Sequence, residues 1–428
     1  MAKTAYAQLV ERDKEAIWHP YSRMPLVQDP IPIVRGKGMY LYAADGSSYI
    51  DAISSWWTNL HGHAHPYIVE RIREQATLLE HVIFADFTHP GAIHLAERLL
   101  KTLPGNMSKI FYSDNGSTAV EVAIKMALQY WYNKNSATKK VKIVCMKGSY
   151  HGDTFGTMSA AGRNEFNRPF WGHLFDVESI DPPYRGREEH SLVQLKEILQ
   201  RCSPACCIFE PLVLGSGGML MYPPEGLDAL IQLCRKHEVL TIADEVMTGF
   251  GRTGPLFACE SLKESPDLIC LSKGITGGFL PLGATACTAA IFDAFSAHTF
   301  LHGHSYTANP LACSAALASL DLLERDECTQ ARNRIGEQHK AFCAVWQGHP
   351  QLNRCESIGT ILALEYRSEK ITSYCNPLSG QLYRHFLEQN ILLRPLGNVL
   401  YVMPPYCITD EELRRIYGAI ITTLEIIS

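Results

Sequence analysis

Short apolar runs alternate with amphipathic stretches over residues 66–320. The runs cover 110–112, 141–146, 206–209, 239–243, 268–271 and 284–288. Between them, apolar residues recur at helical spacing over 68–80, 91–103, 117–134, 192–201 and 225–237. Runs of three to six apolar residues suit strands buried on both faces, and their alternation with helices predicts a mainly parallel sheet covered by helices on both sides. In such sheets ligands sit beyond the carboxyl ends of the strands, so the residues just after each run are the ones to inspect.

The flanks read differently. A helix is expected over 6–17, ending at Trp18-His19-Pro20-Tyr21, and a hairpin follows from 38–42 and 48–51 about Asp45-Gly46. After residue 310 the pattern predicts one long helix to 345, strand-like segments at 360–365, 391–394 and 399–403, a helix over 379–389 and a last helix from Thr409. The division expected is an N-terminal segment, 1–60, contributing to a small α+β domain, a large domain over 61–325, and the rest of the small domain over 326–428. No internal repeat or low-complexity segment is visible.

Composition narrows the classes. The 428 residues are 46% hydrophobic and 19% charged, which is ordinary for a globular chain. A net charge of -5 offers no basic stripe for nucleic acid or an anionic membrane. No apolar run nears the roughly 18 residues of a spanning helix. The N-terminus lacks the apolar region of a secretory signal. The fourteen cysteines are scattered without a C-x-x-C pair. They are expected to be buried free thiols in a reducing cytoplasm rather than disulfides or metal ligands.

The strand ends carry candidate chemistry. After 110–112 comes Ser113-Asp114-Asn115-Gly116-Ser117-Thr118, opening a helix. Its free N–H groups form an anion site, although ordinary N-capping explains the same residues. It lacks the Gly-Lys-Ser/Thr of a Walker loop. After 141–146, Tyr150 and Asp153 flank a glycine turn where an aromatic ring can cover a planar ligand or simply pack. After 239–243 comes Asp244, whose carboxylate needs a partner: a protonated heterocyclic nitrogen, a protein cation, solvent, or a metal shared with Glu245. After 268–271 comes Ser272-Lys273-Gly274, where a desolvated lysine has the lowered pKa of a Schiff-base amine. Lys147 is the competing lysine. Gly249-Phe250-Gly251-Arg252-Thr253-Gly254 matches G-x-G-x-x-G, but it neither follows its strand directly nor opens a long helix. His61, His63 and His65 alternate as metal ligands on a strand do, yet glycine and proline interrupt them and no carboxylate lies nearby in sequence, so no metal is expected. The pair Trp56-Trp57 is either half core and half surface or an aromatic pocket wall. An anion cradle, an aromatic ring, a buried acid and a lysine, each after a different strand, together suit pyridoxal 5'-phosphate.

The segments Asp244–Gly254 and Pro266–Gly278 resemble the signature of the class III (omega-amino acid) aminotransferases of fold type I, and the resemblance covers essentially the whole chain. It implies an α/β fold with a mainly parallel seven-stranded sheet in the large domain. It implies that Lys273 bonds the cofactor, Asp244 pairs with its ring nitrogen, Gly116 and Ser117 hold its phosphate, and Tyr150 stacks on the ring. It further implies a homodimer in which Ser305 completes the partner's phosphate site. Trp18–Tyr21, Ser54–Trp57, Ala127–Trp131, Tyr150–Thr154, Arg394–Gly397 and Met403–Tyr406 are similar to the biotin-synthesis members. That implies 8-amino-7-oxononanoate as acceptor, with Arg394 on its carboxylate and Tyr21, Trp56, Tyr150, Asp153 and Gly303 lining the substrate pocket. The donor implied is adenosylmethionine, favoured by the tryptophan pair, or lysine, to which His304-Ser305 is suited where many relatives have Pro-Thr. Leu214 also departs from the pattern, standing where relatives have a glutamine near the cofactor hydroxyl.

Overall fold

The structure, a computed structural model, describes residues 2–22, 28–184, 186–370, 372 and 374–426. Its centre is a seven-stranded sheet. In spatial order the strands are Met107–Ser113, Gly283–Thr288, Leu268–Leu271, Leu240–Asp244, Pro204–Phe209, Lys142–Met146 and Glu178–Ile180. All run parallel except Gly283–Thr288, which is antiparallel to both neighbours. All four residues of Leu268–Leu271 and all six of Pro204–Phe209 are buried, as expected for strands covered on both faces. Helix Pro224–Lys236 shows how the covering works: Leu227, Leu230, Ile231 and Cys234 repeat at three- and four-residue spacing, and that face is the buried one. Helix Gly116–Lys134 buries Ala119, Val120, Ala123 and Ala127, whose small side chains let it lie close across the strands.

Among the described residues there are three smaller sheets besides this one. Ile33–Lys37, Tyr40–Ala43 and Ser48–Asp51 form an antiparallel ribbon, and Ile391–Leu392 adds to it in parallel, so the two ends of the chain share one sheet. Leu352–Ile358, Ile361–Tyr366 and Val399–Val402 form a second, antiparallel sheet. Val213–Leu214 pairs with Leu220–Met221 as a short ribbon.

The structure corrects the pattern in places. The long helix expected over 310–345 is two helices, Pro310–Leu323 and Asp326–Trp346. Arg325 between them is extended, at φ -72° and ψ 145°. The first helix is rich in Ala and Leu and almost wholly buried, whereas the second opens with Asp326 and Glu327 at its electropositive start. The strands Glu178–Ile180, Ile33–Lys37 and Leu352–Ile358 have no counterpart in the expected elements. Glu178–Ile180 is only three residues long, and Ile33–Lys37 is largely exposed, so neither leaves an apolar run.

Candidate active site

The register of the sheet sets the floor of the site. Ala243 pairs with Ile269 and Asp244 with Cys270, so the parallel strands Leu240–Asp244 and Leu268–Leu271 end side by side. Asp244 therefore lies one strand away from Lys273. Its carboxylate is buried, with Oδ2 2.7 Å from His151 Nδ1 and Oδ1 accepting from Val246 N at 3.1 Å. His151 comes from the turn after Lys142–Met146, and its Nε2 is buried without a partner. Glu210, after Pro204–Phe209, is also buried. It accepts from Tyr150 N at 3.0 Å and Gly215 N at 2.9 Å, and burial reinforced by Asp244 pushes its carboxyl up to about 7.

Lys273 opens a single tight turn, Lys273–Thr276, with φ of +47°. That left-handed start turns the side chain away from the strand line. Its Nζ lies 4.4 Å from the centroid of the Trp57 ring. Burial pushes the amine down to about 8, against the pull of Asp244 and Glu210.

These residues line one cavity of about 530 Å³, together with Gly116, Ser117 and Tyr150. Asn115 caps helix Gly116–Lys134 by accepting from Thr118 N at 3.1 Å, and Thr118 Oγ1 accepts from Asn115 N at 3.0 Å. The capping box occupies Thr118, and the N–H groups of Gly116 and Ser117 begin the helix at the cavity wall. A methyl group at Gly116 would meet Val246 Cγ1 at 2.8 Å, and one at Gly152 would overlap Ser117 Oγ. The cavity is thus bounded by a helix start kept open by two glycines, a buried carboxylate and a desolvated amine. These residues fit pyridoxal phosphate: helix N–H groups for the phosphate, Asp244 for the ring nitrogen, Lys273 for the aldehyde carbon.

A second group of side chains stands at the rim. Tyr21 Oη lies 3.2 Å from Tyr150 Oη and donates to Asp153 Oδ2, to which Tyr150 Oη also donates at 2.9 Å. Burial and Asp153 push the Tyr21 phenol up to about 12, so it stays a donor at neutral pH. The Tyr21 and Trp56 rings are 5.4 Å apart, and Arg394 Cζ lies 5.2 Å from the Trp56 ring. Trp56 and Arg394 line a separate cavity of about 400 Å³ with Tyr49 and Tyr383. Trp56 and Trp57 thus face different cavities. The backbone explains it: Ser54, Ser55, Trp56 and Trp57 have φ of 52°, 44°, 71° and 73°, a run of four left-handed residues.

Other candidates are not part of either cavity lining. Gly303 and Ser305 lie on an exposed segment. Lys147 is exposed and paired with Asp181 at 2.8 Å. Leu214 is buried in its ribbon. The three alternating histidines do not converge on one point: the His61 and His65 rings pack edge to face at 6.2 Å, with His61 Nε2 3.0 Å from Ser319 Oγ, whereas His63 Nε2 lies 2.9 Å from Asp51 Oδ2. No cluster of metal-ligating side chains occurs among the described residues. Glu245 accepts from Thr248 Oγ1, Ala258 N and Cys259 N, which uses its carboxylate within the fold. The glycines of the 249–254 motif serve packing, since a methyl group at Gly249 would meet Glu245 O and one at Gly251 would meet Arg332. His151, Glu210 and Trp57 as the residue facing the lysine were not singled out from the sequence. The signal available was position: His151 and Glu210 also stand just after strands.

The model of the family Aminotransferase class-III matches residues 23–424. The adenosylmethionine-8-amino-7-oxononanoate aminotransferase of Synechococcus elongatus is 47% identical, covering 96% of this chain and 98% of its own. That of Geobacter sulfurreducens is 37% identical, covering 94% of each. Among solved structures, the adenosylmethionine-8-amino-7-oxononanoate aminotransferase of Methanocaldococcus jannaschii superposes with a TM-score of 0.92 at 34% identity, covering 98% of this chain and 99% of the other. An amine transaminase from an uncultivated Pseudomonas species, solved in its PLP-bound form, gives 0.88 at 31% identity, covering 96% and 98%. The chain therefore belongs to the class III aminotransferases and is a transaminase that works with pyridoxal phosphate.

Proposed function

We propose that the enzyme transfers the amino group of adenosylmethionine to the 7-oxo carbon of 8-amino-7-oxononanoate, giving 7,8-diaminononanoate for biotin synthesis. The observation that carries this reading is the near full-length likeness, at 47% identity, to a relative named for that reaction. The rim supports it. An arginine beside an aromatic ring, one tryptophan beyond the lysine, suits a long amino acid with its carboxylate remote from the reacting carbon.

The bound cofactor supplies an electrophilic carbon and an electron sink. Asp244, held by His151, would hold the ring nitrogen in its protonated form. Lys273 Nζ would hold the cofactor's aldehyde carbon and, as a free amine, would take the proton from the donor Cα. Burial lowers the free Lys273 amine to about 8, so it exchanges a proton more readily near neutral pH than an exposed lysine does. Tyr150 would cover the ring, and Tyr21 and Asp153 would orient the substrate amine. Arg394 binds the acceptor carboxylate, and Gly303 of a second copy leaves room for substrate.

The working unit in this reading is a homodimer in the cytoplasm. Leu301 and Tyr306 stand exposed on either side of Gly303 and Ser305, and Ile83 and Phe87 are exposed as well. A second copy covering these apolar side chains would bring Ser305 to the neighbouring phosphate site. Among the described residues no helix is long and apolar enough to cross a membrane. Buried cysteines such as Cys145, Cys206, Cys207 and Cys270 form no disulfide, which suits a reducing compartment. Lysine is the alternative donor, to which His304-Ser305 is suited. Rapid mixing of the loaded enzyme with each donor decides between them: loss of the visible cofactor band with adenosylmethionine alone is expected, and loss with lysine alone overturns that donor. Lys273→Ala should lower turnover by at least about a thousandfold and abolish the lysine-bound spectrum; retained turnover would remove Lys273 from its role.

A further inference from the structure

Four successive left-handed residues, none of them glycine, are sterically disfavoured and persist only where other contacts over-determine them. At Ser54–Trp57 the contacts converge on one carboxylate. Asp51 ends the strand Ser48–Asp51 and is fully buried. Its Oδ1 accepts from Ile53 N at 3.3 Å and Ser55 N at 2.9 Å, and its Oδ2 from Ser55 Oγ at 2.7 Å and His63 Nε2 at 2.9 Å. His63 Nδ1 in turn lies 3.3 Å from Asn59 Nδ2. Ser54 Oγ anchors the near end to Met403 O at 2.8 Å, and buried Arg252 holds the far end through Trp57 O at 3.3 Å and Asn59 O at 3.0 Å.

The consequence lies in the two rings. This backbone sends Trp57 to within 4.4 Å of Lys273 Nζ and Trp56 to within 5.2 Å of Arg394 Cζ. Neighbouring residues thereby touch the amine that does the chemistry and the arginine in the adjoining cavity. In an extended or right-handed backbone the same pair would be rotated relative to each other, and both contacts would not be met at once.

We propose that Asp51, braced by His63, is a positioning residue: it holds the left-handed turn whose two tryptophans fix the spacing between the amine-transfer end and the carboxylate end of the site. This rests on reading Arg394 and Trp56 as the carboxylate end.

The test compares Asp51→Asn, the double variant Asp51→Asn/Ser55→Gly, His63→Gln and Arg394→Ala. The readouts are near-ultraviolet circular dichroism of the cofactor-free protein, and KM and kcat of the loaded enzyme. Asp51→Asn should raise KM for the keto-acid acceptor about tenfold, change kcat less, and weaken the tryptophan dichroism. Glycine takes the left-handed conformation without steric cost. Ser55→Gly in that background should therefore return KM to within about threefold of the parent and restore the dichroism. A double variant as impaired as Asp51→Asn overturns the proposal, because a purely structural or charge role would not be relieved by glycine. If Asp51→Asn fails to fold, His63→Gln should show the same pattern at about threefold, and an unchanged acceptor KM there overturns it. An unchanged acceptor KM in Arg394→Ala would remove the carboxylate reading, whereas recovery of dichroism by glycine reports on the turn alone.

Discussion

Glu210 and Lys273 are an acid and a base moved toward each other by one cause. Burial disfavours both charged forms, raising the carboxyl to about 7 and lowering the amine to about 8. For Glu210 the sign of the linkage is testable. With a folded pKa above its unfolded value near 4.5, the native state binds more protons than the unfolded state between pH 4.5 and 7. Its stability therefore falls as pH rises through that window. Glutamine does not titrate. Glu210→Gln loses one of the two backbone hydrogen bonds at every pH. Relative to the parent, the cofactor-free variant should nevertheless gain on the order of 3 kcal/mol between pH 4.5 and pH 8. Thermal unfolding at several pH values measures the gap, and a gap independent of pH would mean that Glu210 ionises normally.

At the scale of elements, the site depends on where helices and strands begin and end. Helix Gly116–Lys134 begins at the cavity wall, and the turn carrying Gly152 passes closely over its Ser117. Gly152 has φ of +128° as well, so a side chain there is both strained and without room. Gly152→Ala should weaken cofactor binding at least about tenfold, with little change in the fold, as read by cofactor titration and far-ultraviolet circular dichroism. An unchanged cofactor affinity would show that Ser117 is not part of the cradle. The 249–254 glycines illustrate the opposite case. A loop that matches a nucleotide motif instead wraps buried Arg252, whose guanidinium donates to Pro404 O, Trp57 O and Asn59 O.

At the scale of the molecule, one chain supplies the cavity floor, the lysine and the arginine, but leaves Ser305 exposed. If Ser305 serves the neighbouring subunit, inactive Lys273→Ala subunits mixed with impaired Ser305→Ala subunits should regain activity. In a mixed dimer one site then receives both intact residues, so an equal, random mixture should approach about a quarter of the parent activity. A mixture no more active than its components would place Ser305 outside the shared site.

The strands' existence, their helical partners and the residues just past their ends were legible in the sequence. Buried parallel strands leave unbroken apolar runs, and the polar residues that follow them are conspicuous. Lys273, Asp244, Tyr150 and Gly116-Ser117, which line one cavity, were singled out in that way, and the class III resemblance rests on the segments that carry the first two. Strands that leave no apolar run, such as Glu178–Ile180 and the exposed Ile33–Lys37, were not legible, nor was the break at Arg325 between two helices. Which strands lie side by side was hidden as well, because pairing joins Asp244 to Cys270 across sequence rather than along it. Most of all, the sequence shows two adjacent tryptophans and three alternating histidines without saying what they do. Only the tertiary structure brings His63 and the Ser54–Trp57 turn onto one buried carboxylate, and local preference would never choose four left-handed residues in succession. Long-range hydrogen bonds impose that turn, and it sends one tryptophan to the lysine and the other to the arginine.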